Sequence, residues 1–505
     1  MKTKFDVLIV GAGIAGLSQA IALAEKDSTL SIGVVTKSQL KETNTRLAQG
    51  GIAAVISTQN DSYLAHIEDT INASQNQADR NVVSFVVENA HQGIHQLENW
   101  GVRFDKVHND YHLGLEGGHS HARILHVKDQ TGAAVHDELI NQIKKHHSIA
   151  VLEFSEVIEL LMNKDCEVGG ALIYDHKKNS TIYIYSKMVV LATGGIGQLF
   201  QYTTNSTIAT GDGIALAHAI GAKINNLQSI QFHPTAFRAQ GKSKLFLISE
   251  AVRGAGAHII NKVGERFLFA YDERGELATR DVISSAIYQE MKTSREEEVY
   301  LDCRHISKEV LKREFPYILD HCLKGGFDLT QEVVPIIPAA HYSCGGIQVN
   351  LQGESDVSNL YAIGECANTG LHGNNRLASN SLLEAIVFTE NVASSILNNL
   401  KSIDFKPLFP NKSLHHFIGN DKKLFTKEEN HLKVLLTSYF ITKNEGDKEN
   451  LLNAINQYKI QQEKVPLMEL SVIHFKRRLT LIELILEKIN MEFPQEKLNS
   501  RTHIF

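Results

Sequence analysis

Residues 11–16 (GAGIAG) constrain the fold more strongly than any other segment of the sequence. They follow a continuous apolar run, residues 5–10, which is typical of a buried parallel strand, and they open the helical pattern of residues 14–25. A second apolar run at residues 31–36 completes the order strand, helix, strand. In this context GxGxxG indicates a dinucleotide-binding turn, because its glycines permit the turn, admit a pyrophosphate and let the helix pack on the strand.

One position departs from the usual dinucleotide pattern. The second strand of such a unit normally ends in Asp or Glu, which binds a ribose 2′-hydroxyl, whereas here it ends in Thr36-Lys37. Lys37 is compatible with a 2′-phosphate, and therefore with NADP, and it is equally compatible with a phosphate or ribose of FAD. The glycine motif alone leaves both cofactors open.

The same N-terminal region imitates a secretory signal or a membrane span. Lys2 and Lys4 precede an apolar stretch, residues 7–24, but the three glycines would weaken a single helix through its middle. We therefore expect neither, and no membrane partner. The formal net charge of −6 argues against nucleic acid as a partner. The five cysteines are odd in number and lack CxxC, so we expect no disulfides, no metal site and a reducing, cytoplasmic location.

The remaining pattern predicts an α/β protein with three parts. Residues 60–105 are expected to be helical, and strands are predicted at residues 151–162, 181–186, 187–192 and 359–363. A helix is expected at 211–222, and apolar positions at helical spacing, including Leu467, predict another at 465–489. We expect a Rossmann-like FAD-binding domain at 1–227 and 343–400, interrupted by an inserted α+β capping domain at 228–342 and followed by a C-terminal helical domain at 415–505.

Four further motifs distinguish FAD from NADP. Residues 188–195 (MVVLATGG) and 360–365 (LYAIGE) resemble the second and third contact motifs of FAD-containing oxidoreductases, and residues 46–51 (RLAQGG) and 379–384 (SNSLLE) complete the pattern. Over about residues 5–395 the sequence resembles the flavoprotein family of succinate dehydrogenases, fumarate reductases and L-aspartate oxidases. The similarity is greatest to the aspartate-oxidizing members.

The resemblance implies a non-covalent FAD. In the respiratory members a His at the place of Asn44 bonds covalently to the flavin, and Asn cannot form that bond. The implied cofactor residues are Gly11, Ala12, Gly13, Ile14, Ala15, Gly16, Lys37, Asn44, Thr45, Arg46, Leu47, Ala48, Gln49, Gly50, Gly51, Asp212, Glu365, Ser381 and Leu382.

Basic residues in motif-like contexts predict a dicarboxylate site, because two carboxylates need cationic, hydrogen-bonding partners when they leave water. Taken singly, each Arg would more commonly be a surface group and each His structural. The resemblance assigns substrate binding to His233, Ser249, Glu250, His341, Arg376 and Ser379. It assigns catalytic positions to Arg280, at the reacting carbon, to Glu116 and to Arg253, the last in a supporting role.

Glu116 distinguishes the possible substrates. Residues 115–126 (LEGGHSHARILH) resemble the segment of the aspartate-oxidizing members, and a carboxylate there can pair with the ammonium group that aspartate has and succinate lacks. A structural ion pair between Glu116 and Arg123 is the alternative. His119 and His121 show no third ligand at a suitable spacing, so we expect no metal.

Two positions differ from the pattern of the family. Ser249 stands where Thr is usual and keeps the hydroxyl, while Ala255 replaces the Glu of RGEG and removes an ion-pair partner for Arg253 or Arg280. The resemblance implies oxidation of L-aspartate to iminoaspartate, with oxygen or fumarate as acceptor, and a functional link to quinolinate synthase in NAD biosynthesis. The alternatives are a soluble fumarate reductase or succinate dehydrogenase-type flavoprotein, an electron-transfer subunit on an iron–sulfur partner, and a non-catalytic flavin-binding protein.

Overall fold

A computed structural model describes residues 3–239, 245–409, 424–465 and 469–492. Part of the predicted domain 415–505 and Leu467 of the predicted last helix lie outside the described residues. Within them the α-helices are α1 (Ile14–Lys26), α2 (Asn44–Leu47), α3 (Tyr63–Ala73), α4 (Arg80–Glu88), α5 (Ala90–Asn99), α6 (Thr131–Ile143), α7 (Asp212–Ala219), α8 (Glu250–Gly254), α9 (Arg280–Ser294), α10 (Lys308–Glu314), α11 (Pro316–Lys324), α12 (Asn380–Leu400), α13 (Thr426–Thr442), α14 (Glu445–Glu463) and α15 (Leu470–Glu492). The strands are β1 (Lys4–Val10), β2 (Ile32–Val35), β3 (Ile52–Ala53), β4 (Lys106–Val107), β5 (Asp110–Tyr111), β6 (Leu113–Gly114), β7 (Ile124–Leu125), β8 (Ile149–Leu152), β9 (Ser155–Met162), β10 (Val168–Asp175), β11 (Ser180–Leu191), β12 (Ile224–Asn225), β13 (Ile230–Phe237), β14 (Phe246–Leu247), β15 (His258–Ile260), β16 (Val299–Asp302), β17 (Val334–Ser343), β18 (Gly346–Gln348), β19 (Leu360–Ala362) and β20 (Ala367–Asn368).

The central sheet has the strand order β8-β2-β1-β11-β10-β9, and β19 also pairs with β11. β1 lies parallel to both β2 and β11, and α1 connects β1 to β2, so the predicted βαβ unit is confirmed. Val7, Leu8 and Ile9 are fully buried because helices and the C-terminal segment cover both faces of the sheet. The α/β class and the Rossmann-like arrangement of the N-terminal region are therefore confirmed.

Two strand predictions are wrong in detail. Residues 181–186 and 187–192 belong to one strand, β11, whose first half pairs antiparallel with β10 and whose second half pairs parallel with β19. Conversely, residues 151–162 contain two strands, because Phe154 has a φ of 53° and turns the chain between β8 and β9. In the first half of β11 buried and partly exposed residues alternate, whereas the last residues of the strand are all buried. The two halves therefore have different hydrophobic patterns in the sequence.

A second, five-stranded sheet lies in the predicted capping region, with the order β14-β13-β17-β16-β15. Helices α9 and α11 contribute to its hydrophobic cluster, which includes Ile283, Ile318 and Leu301. Its strands begin at Ile230 and end at Ser343, next to the predicted limits of 228–342, although the domain boundaries themselves stay predictions.

The C-terminal helices share a hydrophobic core with the central sheet. Leu436 of α13, Ile455 of α14 and Phe475 of α15 are buried in one cluster with Leu8 and Val189 of the sheet. No helix within the described ranges is long and apolar enough to cross a membrane.

Candidate active site

The glycine-rich turn is required by close backbone contacts. Gly11 has a φ of +117°, and a Cβ atom there would lie 2.0 Å from the carbonyl oxygen of Ala192 on the neighbouring strand connection. A Cβ atom on Gly16 would lie 2.1 Å from the carbonyl oxygen of Gly11. The third glycine therefore packs helix α1 against the turn, and Gly16 itself does not line the cleft.

A long cleft opens where the parallel strands of the central sheet end. The cleft lies at the carboxyl ends of strands β1, β2, β11 and β19. This is the usual position of a ligand in open α/β sheets. Among the predicted cofactor residues, the cleft is lined by Gly11, Ala12, Gly13, Ile14, Ala15, Lys37, Asn44, Thr45, Leu47, Ala48, Gln49, Gly50, Gly51, Asp212, Glu365, Ser381 and Leu382.

Arg46 differs from its neighbours in the predicted cofactor set. Its side chain forms an ion pair with Asp137, with Nη1 2.5 Å from Oδ1, and it does not line the cleft. A cofactor contact by Arg46 therefore stays a prediction. Thr45 and Leu47 of the single-turn helix α2 line the cleft, whereas Arg46 between them does not.

The cleft contains groups suited to both halves of FAD. The N-terminus of α1 faces it beside Gly13, and a helix N-terminus is a natural site for a pyrophosphate. Glu365 follows β19, accepts a hydrogen bond from the Ser343 amide at 3.0 Å, and has its pKa raised to about 7 by burial. A buried carboxyl at this place can bind a ribityl hydroxyl, so the residues present fit FAD.

Lys37 has partners within the protein. Its Nζ lies 2.6 Å from Oδ2 of Asp212 and also donates to the Thr210 hydroxyl. Burial works to raise the pKa of Asp212, but Lys37 and Arg477 hold it well below its ordinary value. Lys37 is therefore neutralised by a carboxylate, which removes the sequence argument for a 2′-phosphate.

Two guanidinium groups meet at the inner end of the cleft. Gln231 Oε1 accepts hydrogen bonds from Arg280 Nη1 at 2.9 Å and from Arg376 Nε and Nη2 at 3.3 Å each. Arg376 is 6% exposed and has no carboxylate partner among the described residues. Burial, followed by the neighbouring Arg280, lowers its pKa to about 10. A buried cation without a carboxylate partner destabilises the folded protein, so an anion is expected to bind at Arg376.

His233 and His341 lie beside these cations, with their ring centroids 5.0 Å apart. Burial and the neighbouring Arg280 hold both imidazole pKa values well below the ordinary range, so both rings are neutral. The Thr235 amide donates to Nδ1 of His233 at 3.3 Å, which places the ring proton on Nε2. Nε2 has no hydrogen-bond partner within the described part of the chain, so this donor is available to a ligand.

Glu250 is the carboxylate partner of both Arg280 and Arg253. Its Oε2 lies 2.6 Å from Arg280 Nε and its Oε1 lies 3.0 Å from Arg253 Nη2. Arg253 lies behind Glu250, donates to the carbonyl of Glu276 and does not line the cleft. This contact to Glu250 agrees with the supporting role predicted for Arg253, and Glu250 itself pairs with two arginines.

Glu116 lies in the cleft and is not paired with Arg123. Its Oε2 accepts a hydrogen bond from the Ser379 hydroxyl at 2.6 Å. Arg123 instead binds Asp61 at 2.8 Å and Asp69 at 2.6 Å, so the alternative structural ion pair is wrong. Burial, and then the nearby Glu250, raise the pKa of Glu116, while Arg280 and Arg376 oppose the shift.

The two predicted serines act through backbone geometry as well as through their hydroxyls. Ser249 lines the cleft and caps α8, where its Oγ accepts from the Ala251 amide at 3.3 Å. Its own amide donates to Gln49 Oε1 at 3.0 Å and so connects the capping sheet to the FAD-binding part. Ser379 has a φ of 59°, which directs its hydroxyl toward Glu116.

Several residues of the site were not predicted from the sequence. Gln231 joins the two guanidinium groups, Asn375 accepts from its amide at 2.7 Å, and Thr204 contacts His341 Nδ1 at 2.8 Å. Gln231 could have been found, because it lies two residues before His233 on β13 and alternate strand residues share a face. The described residues contain no cluster able to hold a metal ion, and His119 contacts the Ala378 carbonyl and Arg123.

Comparisons with known proteins agree with this geometry. A family model described as an FAD binding domain matches residues 6–382. L-aspartate oxidase of Yersinia pestis is 39% identical over 472 residues, covering 91% of this chain and 87% of the relative. L-aspartate oxidase of Synechocystis is 43% identical, covering 79% of this chain and 72% of the relative. A solved structure of E. coli quinol fumarate reductase superposes with a TM-score of 0.83 at 26% identity, covering 96% of this chain and 87% of that chain.

Proposed function

Because the chain belongs to the L-aspartate oxidase family, among flavoproteins related to fumarate reductase, we propose that it oxidises L-aspartate to iminoaspartate using FAD. Electrons pass on to oxygen or fumarate. The main observation behind this proposal is that Arg376 lines the same cleft as the buried Glu116. Arg376 is itself buried and has no carboxylate partner among the described residues. Arg376 fits a substrate carboxylate and Glu116 fits a substrate ammonium.

The clamp for the dicarboxylate is built from charged and neutral donors. Arg376 supplies an unneutralised guanidinium, and Gln231 holds it in line with Arg280. His233 supplies a neutral Nε2–H, which binds a carboxylate without adding another buried charge. These donors are already oriented by protein contacts, so binding fixes the substrate without reorganising the site.

Glu116 handles the amino group. The Ser379 hydroxyl occupies Oε2, which leaves Oε1, beside Gly50, for the substrate ammonium. A raised pKa makes this carboxylate a stronger proton acceptor than an exposed Glu, and the arriving ammonium compensates its buried charge. Glu116 therefore both selects an amino acid over succinate and accepts an N–H proton.

FAD, when bound by the strand-end residues and Glu365, supplies the hydride acceptor. Arg280 lies 2.6 Å from Glu250 and can stabilise developing negative charge. In the direction from fumarate to succinate the same guanidinium is placed to donate a proton. Iminoaspartate is unstable in water, and this instability supports a proposed functional link to quinolinate synthase, which would consume it.

Anaerobic titration of the purified yellow protein tests the proposal. L-aspartate is expected to bleach the oxidised flavin absorbance, while succinate at the same concentration does so poorly. Bleaching by succinate but not by aspartate would favour the succinate dehydrogenase-type alternative. Absence of bleaching by either dicarboxylate would indicate a non-catalytic flavoprotein.

A further inference from the structure

One end of the FAD cleft contains two carboxylates, and most of their ion-pair partners lie in other segments of the chain. We call this the β2 end, and it is defined by Lys37, Glu156 and Asp212, all of which line the cleft. A dinucleotide on a GxGxxG turn places its adenosine ribose at the end of the second strand, which is where this cluster lies. Glu156 is 4% exposed, so its charge must be compensated by groups nearby.

Helix α15 of the C-terminal segment supplies that compensation. Arg477 Nη1 lies 3.3 Å from Asp212 Oδ1 and 3.5 Å from Glu156 Oε1, so one guanidinium spans both carboxylates. His474, one turn earlier, lies 2.6 Å from Glu156 Oε1 through its Nε2. Residues more than one hundred positions from the strands of the cleft therefore complete its charge balance.

Arg477 also fixes the backbone at the β2 end. Its Nη2 donates to the carbonyls of Val157 and Ile158 at 2.9 Å and 2.7 Å, on strand β9. Val157 lines the cleft beside Glu156. The same side chain thus sets both the position of the strand and the electrostatic potential that an incoming ligand meets.

The balance of charges at the β2 end affects the binding of a cofactor that carries a pyrophosphate. Two carboxylates at the β2 end face two permanent cations, Lys37 and Arg477. Removing Arg477 leaves two carboxylates and one permanent cation in a poorly solvated cleft, and the resulting negative potential opposes an anionic ligand. Burial works to raise the pKa of Glu156, yet His474 and His176 hold it below its ordinary range, so it stays ionised.

We propose that α15 is part of the FAD site, with Arg477 as a positioning residue whose guanidinium neutralises Glu156 and Asp212 and thereby allows the adenosine half of FAD to bind. The C-terminal segment is then required for cofactor affinity and not only for packing on the sheet. This assignment depends on FAD binding and is independent of which dicarboxylate is oxidised.

The test compares neighbouring arginines of the same helix in the full chain. Arg477→Met removes the cation at the β2 end, whereas Arg478→Met removes one that pairs with Glu429 at 3.3 Å and does not line the cleft. Titration of the apoprotein with FAD is expected to give a Kd raised at least about tenfold for Arg477→Met. For Arg478→Met the Kd is expected to stay within about twofold of the parent. An unchanged Kd for Arg477→Met, or an equal rise in both variants, would overturn the proposal.

A double-mutant cycle separates charge balance from loss of structure. Glu156→Gln is expected to raise FAD affinity more in the Arg477→Met background than in the parent chain, because there it removes a carboxylate that Arg477 no longer neutralises. Melting temperatures of the apoproteins show whether each variant folds. Strictly additive effects of the two substitutions on the Kd would contradict the proposed role of Arg477. Arg477→Gln removes the same charge and provides the same cycle should Arg477→Met fold poorly.

Discussion

Replacing Glu116 by Gln tests how the protein selects an amino acid. The side chain is 4% exposed, and its Oε2 accepts the Ser379 hydroxyl at 2.6 Å, an interaction that a Gln amide oxygen can also accept. The substitution therefore keeps shape and the hydrogen bond while it removes the charge that faces the substrate ammonium.

The magnitude follows from the burial of the pair. Loss of one partner from a buried ion pair costs about 3 kcal/mol or more, so kcat/KM for L-aspartate is expected to fall roughly a hundredfold or more. Fumarate has two carboxylates and no ammonium, so its reduction uses the clamp of Arg376 and His233 without Glu116 and is expected to change by less than about threefold.

Stability is expected to change in the opposite sense. Burial and the nearby Glu250 raise the pKa of Glu116, so the folded protein holds the proton more tightly than the unfolded chain does. Above the ordinary pKa of a Glu the ionised side chain therefore destabilises the folded state, and Glu116→Gln removes that effect. The variant is expected to melt at or slightly above the temperature of the parent at pH 8.

The assay is stopped-flow reduction of the flavin by L-aspartate, with steady-state reduction of fumarate as the internal control. Equal losses with both substrates would show that the substitution disturbs the clamp generally. An unchanged kcat/KM for L-aspartate would refute recognition of the ammonium by Glu116 and with it the chemical basis for choosing aspartate over succinate.

Three further predictions concern the charges around the clamp. Arg376→Leu is expected to abolish turnover of aspartate and fumarate while FAD stays bound. Turnover by the variant at the rate of the parent would show that Arg376 does not bind the substrate. Glu250→Gln leaves Arg280 without its carboxylate at 2.6 Å and should lower the free energy of unfolding by about 3 kcal/mol, measured by urea denaturation against the parent. Because burial raises the pKa of Glu365 from 4.5 to about 7, the folded apoprotein binds more protons than the unfolded chain between those pH values and should lose up to about 3 kcal/mol of stability as pH rises through them. Glu365→Gln should flatten that dependence, and an identical pH profile of the melting temperature in both proteins would contradict it.

Local patterns were sufficient to predict the nucleotide-binding half of the molecule. The strand, glycine turn and helix at the N-terminus depend on contacts between residues close in sequence, such as the approach of Gly16 to the carbonyl of Gly11. The same locality explains the errors at β11 and β9. A change of partner along one strand, or a single left-handed Phe154, leaves little trace in hydrophobic periodicity.

Residue type and short spacing in the sequence determined the Rossmann-like turn, and the resemblance to a flavoprotein family implied FAD and the set of cationic residues. Only the tertiary structure decided which carboxylate neutralises which cation. Glu250 pairs with Arg280, Gln231 joins Arg376 across 145 positions, and Arg477 of the last described helix pairs with Asp212 of the cleft. Such pairings depend on the distance between groups in the folded interior, where low solvation makes each unpaired charge costly, and sequence spacing does not record that distance.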